Sequence, residues 1–237
     1  MHIFFHSKHL HIHRNYPVEI KVCLDSWKRI IPDYTIRLWN YDDAKQINNK
    51  YINEALNAHK WAFAADVVRF YAVYTEGGVY MDSDIFLKKR FDAFIPNKGF
   101  TAFIEAPNPT LPKFGLQAAF FMGYKGNSFC KAMLDYYSNH SFLHPDGTFD
   151  QTISPFIMAK VAEDKGFIYE DKDQQLDDDI TIFSTKYLSP CNSYPHHPEA
   201  IGVHRIYGSW RKRKFGRKLE IKIKHIWNVI KYALLRK

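Results

Sequence analysis

Four side chains between positions 66 and 84 have the types and spacing to grip a diphosphate: Asp66, Arg69, Asp82 and Asp84. Carboxylates supply the oxygen ligands that a hard divalent cation prefers. The planar fork of arginine binds anionic oxygens in pairs and keeps its charge at any working pH. On a helix, Asp66 and Arg69 at a separation of three residues project from one face. On an extended backbone, Asp82 and Asp84 share a side, because strand side chains alternate. A cation held between carboxylates can also hold the oxygens of a diphosphate, so the set reads as a binding unit for a sugar nucleotide.

The elements that must position these groups are legible around them. Phe63, Val67, Phe70 and Tyr74 recur at helical spacing and form an apolar stripe that a buried helix over 58–74 turns inward. Gly77 and Gly78 are expected to end that helix in the left-handed conformation. Val79, Tyr80 and Met81 read as a short buried strand running into Asp82. The same Asp-X-Asp spacing at Asp171/Asp173 and Asp177/Asp179 follows no apolar strand and reads as solvated acidic loop. Upstream, a strand over 3–5, a helix over 18–30 and a strand over 35–39 alternate. Such alternation predicts an α/β fold, a mixed and mainly parallel sheet covered by helices, with ligands bound beyond the carboxyl ends of the strands. Pro107, Pro109 and Pro112 make 105–113 a loop.

Composition fits one compact domain over 1–210 followed by a tail over 211–237. The chain has 237 residues, 46% hydrophobic and 16% aromatic, enough for a sizeable core. Cys23, Cys130 and Cys191 are widely spaced and odd in number, which argues against a disulfide framework or a cysteine zinc site. The crowded His2, His6, His9, His11 and His13 lack the helical spacing of zinc ligands. The tail holds eleven of the 33 basic residues and one of the 25 acidic ones, leaving 22 against 24 elsewhere. Leu219, Ile223, Ile226, Trp227, Ile230, Ala233 and Leu234 fall on one helical face of it, with Lys222, Lys224, Lys231 and Arg236 beside or opposite. A cationic amphipathic helix of this kind predicts contact with an anionic membrane surface. A helix docked back on the domain is the other reading of it. No docking motif for nucleic acid is present. No apolar run is long enough for a signal peptide or a membrane span, so the expected location is cytoplasmic, peripheral on the inner face of the cell membrane.

Residues 62–84 resemble the DXD-containing glycosyltransferases of the GT-A fold. In particular they resemble glycosyltransferase family 32, which holds yeast-type initiating α-mannosyltransferases and bacterial capsular polysaccharide sugar transferases and is distantly similar to clostridial glucosylating toxins. The resemblance extends to residues 23–40 (CLDSWKRIIPDYTIRLWN), 121–129 (FMGYKGNSF), 182–190 (IFSTKYLSP) and 203–210 (VHRIYGSW), in the family's order.

The resemblance implies a retaining, metal-dependent hexosyltransferase that uses Mn2+ or Mg2+ and a UDP-sugar or GDP-sugar. Its acceptor would be a saccharide or lipid-linked oligosaccharide. Asp84 would ligate the metal, joined by Asp82 and by His204 from a distant part of the chain. Asp66 and Arg69 would hold the transferred sugar and its phosphate, and Asp82 the ribose or sugar hydroxyls. Tyr80, Ser209 and Trp210 would line the nucleotide, with His6 near it at the end of the first strand. Gln117, Glu105 and Asp150 are candidates for the face of the sugar opposite the leaving group. A metal-dependent sugar-nucleotide hydrolase using the same carboxylates, and a non-catalytic membrane-binding module, are the competing readings.

Overall fold

The structure, a computed structural model, describes residues 2–4, 16, 18–190 and 197–205. His6, Ser209, Trp210 and the basic tail over 211–237 lie outside the described residues.

In chain order the elements are β1 (His2–Phe4), α1 (Val18–Ile30), β2 (Arg37–Trp39), α2 (Tyr41–Lys45), α3 (Lys50–Asn57), α4 (Trp61–Glu76), β3 (Gly78–Met81) and β4 (Ile85–Leu87). They continue with β5 (Phe100–Glu105), β6 (Gly115–Leu116), β7 (Phe120–Gly123), α5 (Ser128–Asn139), α6 (Ser154–Glu163), β8 (Gln174–Leu176), β9 (Ile180–Phe183), β10 (Leu188–Pro190) and β11 (Gly202–His204).

The fold is α/β with a mixed sheet, ordered β2-β1-β3-β7-β5-β9-β8, with β6 paired to β5. β1 runs parallel to β2 and β3, and β5 to β9. The pairings β3–β7, β5–β7, β5–β6 and β8–β9 are antiparallel, so the parallel share is smaller than the alternation of elements suggests. Antiparallel β7 enters between β3 and β5, a non-sequential insertion that periodicity does not report.

Strand alternation divides the core between the two faces of the sheet. Tyr80, Phe121, Phe100 and Ile104 face a core shared with α3, α4, α5 and α6, including Val67, Phe70, Met133 and Ile157. Val79, Met81, Phe120, Met122 and Phe103 face a second core with Trp27, Ile31, Ile85 and Phe91. Aromatic stacking ties the first core across elements: Phe70 on Phe121 at 5.0 Å between centroids, and Phe121 on Tyr80 at 5.4 Å.

Helix α4 and β3 meet at Gly77, with φ 72° and ψ −179°. This is the extended positive-φ region open to glycine alone, in place of the left-handed helical conformation expected of it. A β-carbon there would also stand 2.9 Å from the backbone nitrogen of Lys125. The chain can therefore pass from helix to strand without an intervening loop, which sets Asp66 and Arg69 directly above β3.

A second, smaller sheet places β11 between β10, parallel, and β4, antiparallel. Helix α1 anchors it: the Trp27 indole donates to the Ile85 carbonyl at 2.7 Å, and the Ser26 hydroxyl accepts from the Leu87 amide at 3.0 Å.

Candidate active site

Alternation along β3 puts Tyr80 and Asp82 on the face that α4 covers, and the Tyr80 hydroxyl donates to Asp82 Oδ1 at 2.7 Å. From above, Arg69 Nη2 lies 3.1 Å from Asp66 Oδ1 and 3.7 Å from Asp82 Oδ1. Its Nη1 donates to the Ala118 carbonyl at 2.6 Å, and its guanidinium stands over the Tyr80 ring at 5.1 Å. Asp66 and Arg69 are only 8% and 7% exposed, so each needs the other.

Burial disfavours the Arg69 charge, but the Asp82 and Asp66 carboxylates around it outweigh that and hold its pKa above the ordinary value. Burial also pushes the Tyr80 phenol well up, reinforced by the Asp82 charge, so the hydroxyl remains a donor. For Asp66 burial dominates, raising its carboxyl to about 7 against the pull of Arg69, with Asp82 adding to the rise.

Asp82 and Asp84 do not share an extended strand. The Ile85 amide donates to the Asp82 carbonyl at 3.1 Å, closing a tight turn between β3 and β4. The turn leaves Asp82 toward Arg69 and sends Asp84 toward β11, where His204 Nε2 lies 3.6 Å from Asp84 Oδ1. The Arg205 amide donates to the Asp84 carbonyl at 3.1 Å, fixing the end of β11 on that turn. Asp82, Asp84 and His204 each offer a ligand atom, all within 4.8 Å of one another, and each is partly buried. His204 Nδ1 is buried without a hydrogen-bond partner among the described residues. An imidazole whose Nε2 faces one carboxylate, with a second carboxylate in reach, fits a divalent cation. Behind the cluster, burial pushes the Cys23 thiol up to about 12, with the charges of Arg205 and Asp84 acting on it.

Gln117 is 2% exposed, next to the Ala118 carbonyl that takes Arg69. Glu105 ends β5 opposite Gly115, at the start of the 105–113 loop. Asp150 Oδ1 accepts from the Thr152 amide at 2.8 Å. Of the other Asp-X-Asp pairs, Asp171 and Asp173 are exposed but accept from the amides and hydroxyls of Thr185 and Ser184. In the Asp177/Asp179 pair, Asp179 forms an ion pair with Lys98, and the intervening Asp178 pairs with Lys165. Tyr51 and Tyr137, fully buried, also lie within the field of Asp66. No spacing signal marks them, since their route to Asp66 is through tertiary packing.

Two surface hollows, of about 260 and 230 Å³, lie elsewhere, one lined by Lys98, Thr101 and Asp179, the other by Arg37, Trp39 and Tyr71. Neither contains a residue of the carboxylate, arginine and histidine cluster, whose chemistry and not its volume marks the site.

Residues 17–101 match the family model of the glycosyltransferase sugar-binding region containing a DXD motif. The match covers Asp66, Arg69, Asp82 and Asp84; Gln117 and His204 lie beyond it. No curated protein matches. Among solved structures, the chain is similar to the PaToxG glycosyltransferase, at 18% identity and a TM-score of 0.44 over 56% of this chain and 57% of that one. It thus spans little more than half the length of that protein. It is similar at 18% identity and a TM-score of 0.44 to a glycosyltransferase involved in the glycosylation of the major capsid of PBCV-1, over 86% of this chain and 92% of that one. The galactosyltransferase LgtC, solved with donor and acceptor sugar analogs, is similar at 12% identity and a TM-score of 0.38, over 86% of each chain.

Proposed function

We propose that this protein is a metal-dependent, retaining glycosyltransferase. It moves a sugar from a nucleoside diphosphate to a saccharide or lipid-linked acceptor in the making of a bacterial surface polysaccharide. The observation that carries this reading is the convergence of Asp82, Asp84 and His204 beside the buried Asp66–Arg69 pair. The carboxylates suit either Mg2+ or Mn2+, and the imidazole favours Mn2+. A bound cation would supply positive charge to the diphosphate oxygens as the anomeric bond breaks.

The chain's own residues divide the remaining work. Asp82, Asp84 and His204 hold the cation. Arg69, tied by the Ala118 carbonyl and the Tyr80 ring, presents a fixed positive charge to the leaving diphosphate, which stabilises the transition state more than the ground state. Asp66 accepts from hydroxyls of the transferred sugar and sets its orientation. Gln117, buried beside Ala118, is assigned to the opposite face of the sugar.

Incubation with UDP-glucose, UDP-galactose and GDP-mannose plus manganese is expected to release free nucleotide from one donor. Asp84→Ala should lower that rate by about a hundredfold or more, as loss of a metal ligand or of one charge-stabilising group does. Release unaffected by the substitution would overturn the assignment. Nuclear magnetic resonance of the first-formed product reports the anomer, and a β product from an α donor would replace retention by inversion.

A further inference from the structure

The backbone of Asp82 is held on both sides: its amide donates to the Ala119 carbonyl at 2.7 Å, and its carbonyl accepts from the Ile85 amide at 3.1 Å. What remains free is the side chain, whose two oxygens have unequal surroundings. Oδ1 accepts the Tyr80 hydroxyl at 2.7 Å and faces Arg69 Nη2 at 3.7 Å. Oδ2 accepts no hydrogen bond among the described residues, and the side chain is 29% exposed. The hydrogens of the phenol and the guanidinium repel a cation from Oδ1, so Oδ2 is the oxygen left for one.

Tyr80 is held firmly enough to impose this. It is 1% exposed, and its backbone pairs with Phe121 of β7 and His2 of β1. Its ring stacks on Phe121 at 5.4 Å and lies under the Arg69 guanidinium at 5.1 Å. Neither neighbour can replace the hydroxyl. Phe121 has no side-chain donor, and Arg69 is kept back by the Ala65 and Ala118 carbonyls, at 3.3 and 2.6 Å, and by Asp66 at 3.1 Å.

We propose that Tyr80 is a positioning residue that fixes Asp82 as a one-oxygen ligand and thereby sets the site's preference for Mn2+ over Ca2+. The inference rests on the metal site of the function proposed above. Calcium takes about six to eight oxygens in a flexible shell and accepts both oxygens of one carboxylate, whereas a small octahedral ion is served by one oxygen from each. A carboxylate with one oxygen tied inward therefore suits the smaller ion. The imidazole of His204 favours manganese as well, so the mark of Tyr80 is the change in preference when its hydroxyl alone is removed. At 1% exposure the phenol is walled off from a bound nucleotide, and its effect runs through Asp82.

The test is Tyr80→Phe in the full chain, which keeps the ring between Phe121 and Arg69 and removes only the oxygen. Manganese and calcium affinities are read by calorimetry on metal-free protein with no sugar nucleotide present. The wild type should bind manganese more tightly than calcium. In the variant, manganese binding should weaken about tenfold, as the loss of a hydrogen bond behind a metal ligand does. Calcium binding should hold or strengthen, so that the preference for manganese falls about tenfold or more. Affinity for UDP in the absence of metal should not move.

A preference unchanged in Tyr80→Phe overturns the inference, whether both affinities hold or both fall together with the melting temperature, as a purely structural role would have it. Weaker binding of metal-free UDP also overturns it, since the phenol would then touch the nucleotide. A wild type that binds neither cation removes the metal site and this inference with it. A wild type that binds manganese yet releases nucleotide from none of UDP-glucose, UDP-galactose and GDP-mannose overturns the function alone, and the preference ratio still decides the role of Tyr80.

Discussion

Asp66 is asked to be an anion in a place that opposes anions. Burial raises its carboxyl to about 7 although Arg69 is 3.1 Å away. The sign of the consequence follows from linkage. The folded-state value exceeds the unfolded value of about 4, so the native state favours the protonated acid. The stability this contributes is complete below about pH 4 and is lost as pH climbs toward 7. An Asp66→Asn variant has no such titration. Thermal melts of both proteins from pH 4 to 8 should show the variant gaining on the wild type across that window and levelling above it. A difference in melting temperature that stays constant with pH would refute the burial account of Asp66.

At the scale of elements, the junction of α4 and β3 is the most demanding piece of backbone at the site. Gly77→Ala forces a β-carbon into the positive-φ extended region and to 2.9 Å from the Lys125 amide nitrogen. Such conformations cost about 1–3 kcal/mol for a non-glycine residue, and the close contact adds to that. Denaturant titration should report a loss of at least that size, with nucleotide-releasing activity falling as β3 shifts beneath Arg69. Wild-type stability in this variant would mean that the junction relaxes freely.

The elements around this junction were legible to very different degrees. Helix α1 lies where spacing expects it, residue for residue, because amphipathic spacing is sustained for 13 residues. The inward stripe of α4 is equally plain, with Val67 and Phe70 fully buried. Helix α3 was hidden because it is short and its polar ends resemble loop. Its separation from α4 depends on His59 at φ 55°, which no pattern announces. The strand-period reading of Asp82 and Asp84 missed a turn made by one backbone hydrogen bond. The grouping of both with His204 holds nonetheless, because their proximity needs only that β3 and β11 end together. The Ala118 carbonyl was beyond reach, since it acts on Arg69 through a contact that exists only once the chain is packed.

On the scale of the whole molecule, the site lies where two structural units meet. Asp66, Arg69, Tyr80 and Asp82 belong to the large sheet and its helical cover, whereas His204 belongs to the three-stranded sheet held by α1. β11 is laid between β4 and β10, so a late segment of the chain is stitched beside a turn formed much earlier. A cation shared by Asp84 and His204 would act as a removable crosslink between them, closing a long loop of chain. At a manganese concentration a hundred times its dissociation constant, the native state should gain about 2.7 kcal/mol. The melting temperature should then rise by roughly 5–10 °C for a protein of this size, and the rise should vanish in His204→Ala. Amide hydrogen exchange over 197–205 should slow at the same time. The strand that completes the small sheet would thus be fastened by the very ion the chemistry uses, making the ordering of that edge a function of how much manganese the surroundings supply.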